Sequence, residues 1–170
     1  MLTLLQTFLD IALLRRGPEH LPRSPVFLVF AAAFWLSSML MTWALLDDFS
    51  GTSVIQATMS NVLSLFLYGL FLASRGRAVR LVPTLTAILG ATAYIAYLLT
   101  AWLVLLQPAG GALLLSILVV RAWTVQVEGR IISRAADISL GGGIAIAAFV
   151  LVVQLLFHDF LTALQQATPA

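Results

Sequence analysis

The chain has 170 residues, of which 61% are hydrophobic and 9% are charged, and its formal net charge is +2. Soluble domains carry about 25% charged residues, so this composition excludes a water-soluble globular domain and intrinsic disorder. The absence of cysteine excludes disulfides, zinc–thiolate sites and a cysteine nucleophile. We therefore predict an all-α, polytopic integral membrane protein, with the lipid bilayer and not nucleic acid as its surroundings.

Residues 1–24 are predicted to form a cytoplasmic amphipathic helix followed by a Pro-rich connector. The apolar run 2–14 is too short to span a bilayer, and it lacks the basic start of a signal peptide. Its polar side chains share one arc of a helix: Thr3, Gln6, Thr7 and Asp10. We expect this helix to lie in the membrane interface or to pack against the bundle, and to stop at Gly17-Pro18.

Five apolar stretches between residues 25 and 158 predict a five-helix transmembrane bundle, because each is long enough to cross about 30 Å of hydrocarbon. Their bounds are 25–46, 52–73, 81–106, 112–127 and 139–157. The acidic turn near Asp47 and the pair Gln107-Pro108 separate successive spans. The fourth helix is expected to continue beyond its apolar part into the cytoplasm. Residues 159–170 are predicted to be a short external tail.

The distribution of arginine predicts an orientation with the N-terminus in the cytoplasm and the C-terminus outside. One side of the membrane receives eight arginines: Arg15, Arg16, Arg23, Arg75, Arg77, Arg80, Arg130 and Arg134. The loops on the other side receive none, which is a strong positive-inside bias. Trp43, Trp102 and Tyr68 lie toward span ends, where aromatic anchors at the membrane surface are expected.

A charged residue near the middle of the fourth span predicts a polar core. Arg121 lies about 15 Å from the start of that span, where a guanidinium costs ~2.5–3.5 kcal/mol to bury. Polar residues of the second span project in one arc: Gln56, Ser60, Asn61, Ser64 and Tyr68. We predict an intramembrane core formed by Arg121, Asn61, Gln56, Ser60, Tyr94 and Glu128. Two interpretations stay open: the core stabilises helix packing, or it binds a substrate, an ion or a lipid headgroup.

Small residues predict where the helices approach one another closely. Ala87, Gly90 and Ala91 share a face of the third span, and Gly141/Ala145 and Gly143/Ala147 do so on the fifth. The run Gly141-Gly142-Gly143 is also consistent with a hinge.

The charged cytoplasmic segments predict a docking surface for a partner. Its residues are Arg15, Arg16, Glu19, His20, Arg23, Arg75, Arg77 and Arg80. Motifs of metalloproteases, hydrolases and nucleotide-binding enzymes are absent, and His158-Asp159 is an isolated pair. We therefore expect no catalytic residue, no metal, no cofactor and no enzymatic activity.

The chain resembles the Yip family of Rab-interacting membrane proteins and its bacterial relatives over residues 8–157. The resemblance depends on Gly17-Pro18, which matches the end of the family's Asp-Leu-Tyr-Gly-Pro signature, and on five spans with the predicted orientation. The stretch from Arg121-Ala122-Trp123 through Glu128, Arg130, Arg134 and Ser139 is similar to the family's fourth span, cytoplasmic turn and fifth span. For eukaryotic members the resemblance implies vesicle-trafficking scaffolds, not enzymes.

Two functions follow as expectations from these patterns. The first is a non-enzymatic membrane scaffold or accessory protein that contacts other membrane proteins or further copies of itself. The second is a small oligomeric transporter or channel-like protein that handles an anionic solute or a lipid headgroup through the Arg121 core. Because every basic residue is arginine, a bias typical of GC-rich genomes, we expect a bacterial inner membrane.

Overall fold

The computed structural model describes residues 2–45 and 51–167, and within these ranges the chain is helical without strands. Its six helices are α1 (Leu2–Ala12), α2 (Pro25–Leu45), α3 (Gly51–Ser74), α4 (Leu81–Leu106), α5 (Gly111–Ala136) and α6 (Leu140–Ala167). Within the described ranges, the five helices α2–α6 are long and apolar enough to cross a membrane. The predicted end of the first span at residue 46 and the acidic turn near Asp47 lie outside the described residues.

Helix boundaries follow local signals in the sequence. At the start of α2 the amide of Phe27 donates to the carbonyl of Ser24, and Pro25 occupies the first helical position. α4 ends where Gln107 adopts the left-handed conformation and its amide bonds to Leu103, directly before Pro108. As predicted, α5 continues beyond residue 127, and it ends in the same way at Asp137.

α6 is longer than its hydropathy predicted, because it continues past residue 157 to Ala167. Most of the segment predicted as an external tail is therefore helical. His158 and Asp159 lower the local hydropathy, but neither residue breaks a helix, and the Thr162 hydroxyl donates to the His158 carbonyl.

α1 packs against the bundle, which was one of the two placements expected for residues 2–14. Phe8 is fully buried and occupies the space that a side chain at Gly90 would fill, and its ring stacks on Phe34. Gly90 lies about 14 Å along α4, so α1 reaches deeper than the span end where an interfacial helix lies. The helix ends at Ala12, before the predicted stop at Gly17-Pro18, because Leu14 takes a left-handed conformation.

The tightest helix contact joins α5 to α6. A Cβ at Gly129 would meet the Ile144 Cα at 2.7 Å, and one at Gly143 would overlap the carbonyl of Gly129. Gly141, in contrast, has no atom within 4 Å of its Cβ position. Of the two predicted small-residue faces of α6, the one that contains Gly143 therefore forms the close contact.

Candidate functional site

A cavity of about 540 Å³ lies inside the bundle and receives side chains from all five long helices. We call it the central cavity. Its polar and charged lining residues are Thr42 from α2, Asn61 from α3, Thr92 from α4, Arg121, Thr124 and Glu128 from α5, and Gln154 from α6. A smaller space beside it shares Asn61, Glu128 and Gln154 and adds Ser64 and Tyr68. The five long helices therefore line a partly polar and partly open space.

Helix geometry sets the level of these residues along the bundle. Arg121 and Asn61 each lie ten residues from the first residue of their helix, which is about 15 Å. Thr124 and Glu128 follow Arg121 at spacings of three and seven residues, so the three side chains share one face of α5. The structure thus brings together Arg121, Asn61 and Glu128, three of the six residues predicted for the polar core.

Glu128 is held by a tyrosine of the neighbouring helix α3. The Tyr68 hydroxyl donates to Glu128 Oε2 at 2.6 Å, and Tyr68 is 0% exposed. The prediction that Tyr68 is an anchor at the membrane surface is therefore wrong. Tyr68 continues the buried line of Ser60 and Ser64 at four-residue intervals, and this spacing was the sequence signal that places it inside.

An amide pair connects α3 to α6 at the cavity wall. Gln154 Nε2 donates to Asn61 Oδ1 at 3.4 Å, and Asn61 Nδ2 donates to the Ala57 carbonyl at 2.8 Å. Gln154 was not among the predicted core residues, although it is an isolated amide in an apolar span. Its position opposite Asn61 depends on how α6 packs against α3, which the sequence pattern does not specify.

Arg121 differs from the other charged lining residue because it has no direct partner. It attracts the Glu128 carboxylate electrostatically, but within the described part of the chain it makes no hydrogen bond or ion pair. Its side chain is exposed to the space around it. A guanidinium carries five N–H donors, so a strong donor group faces the central cavity with its hydrogen-bonding capacity free.

The remaining predicted core residues lie outside the lining of the central cavity. Gln56 and Ser60 are buried further along α3, and Gln56 Nε2 and Ser60 Oγ find no hydrogen-bond partner among the described residues. Tyr94 packs edge-on against Phe34 with ring centroids 5.3 Å apart. Tyr94 is about 200° around α4 from Thr92, which does line the cavity.

A second polar cluster lies at one end of the bundle, which we call the basic end. Asp137 accepts from Arg77 at 2.7 Å and from Arg80 at 2.9 Å, and Arg134 forms an ion pair with Glu19. Arg80 Nη1 also donates to the carbonyls of Arg134 and Ala135, each at 3.1 Å. The hydrogen bond from Arg80 lowers the pKa of Asp137 below its ordinary value of 3.8, and the charge of Arg77 adds to this effect.

The other predicted docking residues lie around this cluster and form no ion pair with Asp137 in the described part of the chain. Arg16 pairs with Asp10 of α1 at 3.1 Å, and His20 Nδ1 lies 3.7 Å from Glu19. Arg15, Arg23 and Arg75 are exposed. Arg23 also lines a cavity of about 460 Å³ at the basic end, together with Arg80 and Arg134. Arg134 and Asp137 lie in residues 128–138, which the sequence assigned to the cytoplasmic surface without naming them as docking residues, and they join the connector and the α3–α4 turn to α5.

The fold defines a class: a bundle of five helices able to span a membrane, with a polar cavity inside. No protein-family model, curated protein or solved structure matches the chain. Among the described residues, no group of three or more His, Cys, Asp or Glu side chains is placed to hold a metal ion.

Proposed function

We propose that this chain is a non-enzymatic, multi-pass membrane protein that binds an anionic group at Arg121 inside its bundle. The observation that supports the proposal is the Arg121 guanidinium, which lines the central cavity near mid-span and has no ion-pair partner among the described residues. Burial of arginine at that depth costs ~2.5–3.5 kcal/mol, whereas polar pairs between membrane helices contribute only ~0.6 kcal/mol on average. Helix packing alone does not explain a full charge without a partner.

The neighbours of Arg121 are consistent with this role. The Glu128 carboxylate accepts from Tyr68, and among the described residues it forms no direct ion pair with Arg121. The guanidinium can then form two parallel hydrogen bonds to a carboxylate or phosphate. In this arrangement Arg121 is the binding residue, and Tyr68 and Glu128 are positioning residues.

The bound group belongs to a solute or to a lipid headgroup, and its passage through the bundle would make the protein a small oligomeric transporter or channel-like protein. We place it in a bacterial inner membrane with the basic end in the cytoplasm, as the arginine distribution predicts.

A membrane scaffold similar to the Yip family is the second candidate function. The observation that favours it is the basic end, where ion pairs join three separate segments into one charged surface. These segments are the connector at Glu19, the α3–α4 turn at Arg77 and Arg80, and the end of α5 at Arg134 and Asp137. Such a surface suits a charged partner protein.

Mass spectrometry of the protein purified into lipid nanodiscs distinguishes these functions. We expect the wild-type protein to retain an anionic molecule that Arg121→Leu loses and Arg75→Leu keeps, because Arg75 is an exposed arginine outside the cavity. Equal retention by wild type and Arg121→Leu would overturn the proposed anion site. A stoichiometric protein partner lost in Arg134→Leu but not in Arg121→Leu would support the scaffold.

A further inference from the structure

An apolar groove of about 480 Å³ lies between α1, α4 and α5, and we call it the outer groove. Its lining residues are Leu9, Ala12 and Leu13 from α1, Ile95, Leu98, Leu99 and Trp102 from α4, and Leu115, Ser116, Val119, Val120 and Trp123 from α5. The indole of Trp102 donates to Ser116 Oγ at 3.2 Å, and that of Trp123 donates to the Ala12 carbonyl at 3.0 Å. Since these polar groups are paired, the groove presents a hydrocarbon surface.

The outer groove and the central cavity share part of their walls. Ile95, Leu99 and Val120 line both spaces. These three aliphatic side chains form a ridge where α4 meets α5, with the polar interior on one side and the apolar groove on the other. Arg121 follows Val120 directly in the chain, so a charged binding group lies immediately beside an apolar surface.

Along the bundle axis, α5 offers a soluble anion few polar contacts, although Thr42 of α2 also lines the cavity. Toward the start of α5, residues 112–120 are apolar except for Ser116, which faces the outer groove. Toward the basic end, the bond between Tyr68 and Glu128 crosses the interior, and the buried side chains Ile131 and Ile132 lie beyond it. The sideways route between α4 and α5 is lined by hydrocarbon, which suits a molecule with an acyl chain.

We infer that the anionic group bound at Arg121 is the headgroup of an acidic lipid whose acyl chain crosses the ridge and lies in the outer groove. This inference rests on the proposed anion site and names its ligand class. The headgroup supplies the negative charge that pairs with Arg121, and the outer groove supplies an apolar surface for the acyl chain. An acyl chain loses little when it moves from bilayer hydrocarbon into an apolar groove, so the headgroup provides the affinity and the groove selects an amphiphile.

A binding experiment with the purified full-length protein tests the lipid directly. The probes are dioleoyl phosphatidylglycerol, dioleoyl phosphatidylcholine and glycerol 3-phosphate, each titrated into the protein in detergent and measured by native mass spectrometry. We expect the wild type to prefer phosphatidylglycerol over both other probes. Arg121→Leu should weaken this binding by about 10- to 100-fold, as expected for a lost charge-assisted hydrogen bond.

A matched pair of variants tests the groove. Val119→Trp fills the outer groove, whereas Leu118→Trp places the same ring on the neighbouring residue, which lines neither space. Val119 and Leu118 are similarly exposed, at 59% and 56%, so both variants should fold alike. We expect Val119→Trp to weaken phosphatidylglycerol binding by about tenfold, the effect of overfilling a packed site, and Leu118→Trp to bind like wild type.

The outcomes separate the lipid from the anion site. If glycerol 3-phosphate binds as tightly as phosphatidylglycerol and Val119→Trp has no effect, the lipid inference is wrong, while the Arg121 anion site stands. If none of the acidic probes binds more tightly to wild type than to Arg121→Leu, both proposals fail. Equal binding of phosphatidylcholine and phosphatidylglycerol would also overturn the lipid inference, because Arg121 would then select no charge.

Discussion

The arginines of the basic end and the arginine of the central cavity have opposite surroundings. Arg77 and Arg80 share Asp137, and Arg134 pairs with Glu19. Arg121 has no such partner among the described residues. An unpaired charge is most costly in the middle of a membrane. Arg121 therefore lies at the depth where an ion-pair partner would stabilise the protein most. The pairs at the basic end join separate segments of the chain, whereas Arg121 is available for the ligand that we propose.

The same contrast holds for helix packing. Near the basic end, Gly129 and Gly143 bring the backbones of α5 and α6 into contact. Near mid-span, all five long helices contribute to the walls of a cavity. A tightly packed end beside an open middle is the arrangement of a rigid frame around a binding site.

The largest expected loss of stability comes from adding a side chain at Gly143, where α5 and α6 are in close contact. Gly143→Leu would force a side chain against the backbone of Gly129 and against Ser133, so we expect a loss of at least about 3 kcal/mol of stability. Size-exclusion chromatography of the detergent-extracted protein should show aggregation. Gly141→Leu, two residues earlier with open space at its Cβ, should elute like wild type. A well-folded Gly143→Leu protein would show that this contact does not hold the end together.

The next effect comes from the bond that engages Glu128. Tyr68→Phe leaves a buried carboxylate without its donor, and we expect a loss of about 1–3 kcal/mol in thermal unfolding. Tyr97→Phe is the matched control, because the Tyr97 hydroxyl bonds to Ser37 at an exposed position. Glu128 should then turn to Arg121, so anion binding should also fall. Unchanged stability and unchanged binding in Tyr68→Phe would refute the positioning role of Tyr68.

A smaller loss of stability is expected at low pH, where Asp137 of the basic end becomes protonated. Because the folded chain lowers the pKa of Asp137 below 3.8, its stabilisation is complete above that value and is lost as the pH falls through the lowered pKa. Thermal unfolding followed from neutral pH to about pH 3 should show this loss in wild type but not in Asp137→Asn. Asp10→Asn, which removes a carboxylate outside the cluster, should keep the acid sensitivity. Identical pH profiles for wild type and Asp137→Asn would contradict a stabilising role for the pairs that Asp137 forms with Arg77 and Arg80.

The smallest expected loss of stability is that of Arg121→Leu, because no described hydrogen bond is lost and a charge that is costly at mid-membrane is removed, so the variant should unfold at or above the wild-type temperature. Arg134→Leu removes an ion pair with a half-exposed partner and should cost up to about 1 kcal/mol. Paired measurements of thermal unfolding check this order. A larger loss in Arg121→Leu than in Arg134→Leu would mean that Arg121 has a structural role, and the comparison between middle and end would reverse.

Sequence patterns predicted the number and order of the long helices better than the residues at which each helix ends. α4 has the expected bounds because Pro108 stops it, and α5 continues beyond residue 127 as expected and ends at Ala136. α6 differs because hydropathy measures solubility in lipid, whereas a helix ends only where its backbone bonding ends. His158 and Asp159 lower the hydropathy of the segment, but they do not interrupt the backbone hydrogen bonds of the helix.

The candidate site was partly visible in the sequence because depth along a helix follows from counting residues. Arg121 and Asn61 were placed at one level by a rise of about 1.5 Å per residue. The direction of a side chain around its helix is harder to predict when most faces are apolar. Tyr94 therefore faces Phe34 outside the cavity lining, and Gln154 reaches Asn61 although it was not among the predicted residues.

The docking of α1 has a consequence for the order in which the protein assembles. Trp123, which binds the Ala12 carbonyl, lies 111 residues later in the chain. At a synthesis rate of about 5–20 residues per second, α1 waits roughly 6–20 s before that partner is made. During this interval Phe8 can already meet Phe34 and Gly90, but the contact of α1 with α5 is still missing. α1 therefore completes its packing only after α5 is made, although it precedes the other described helices in the chain.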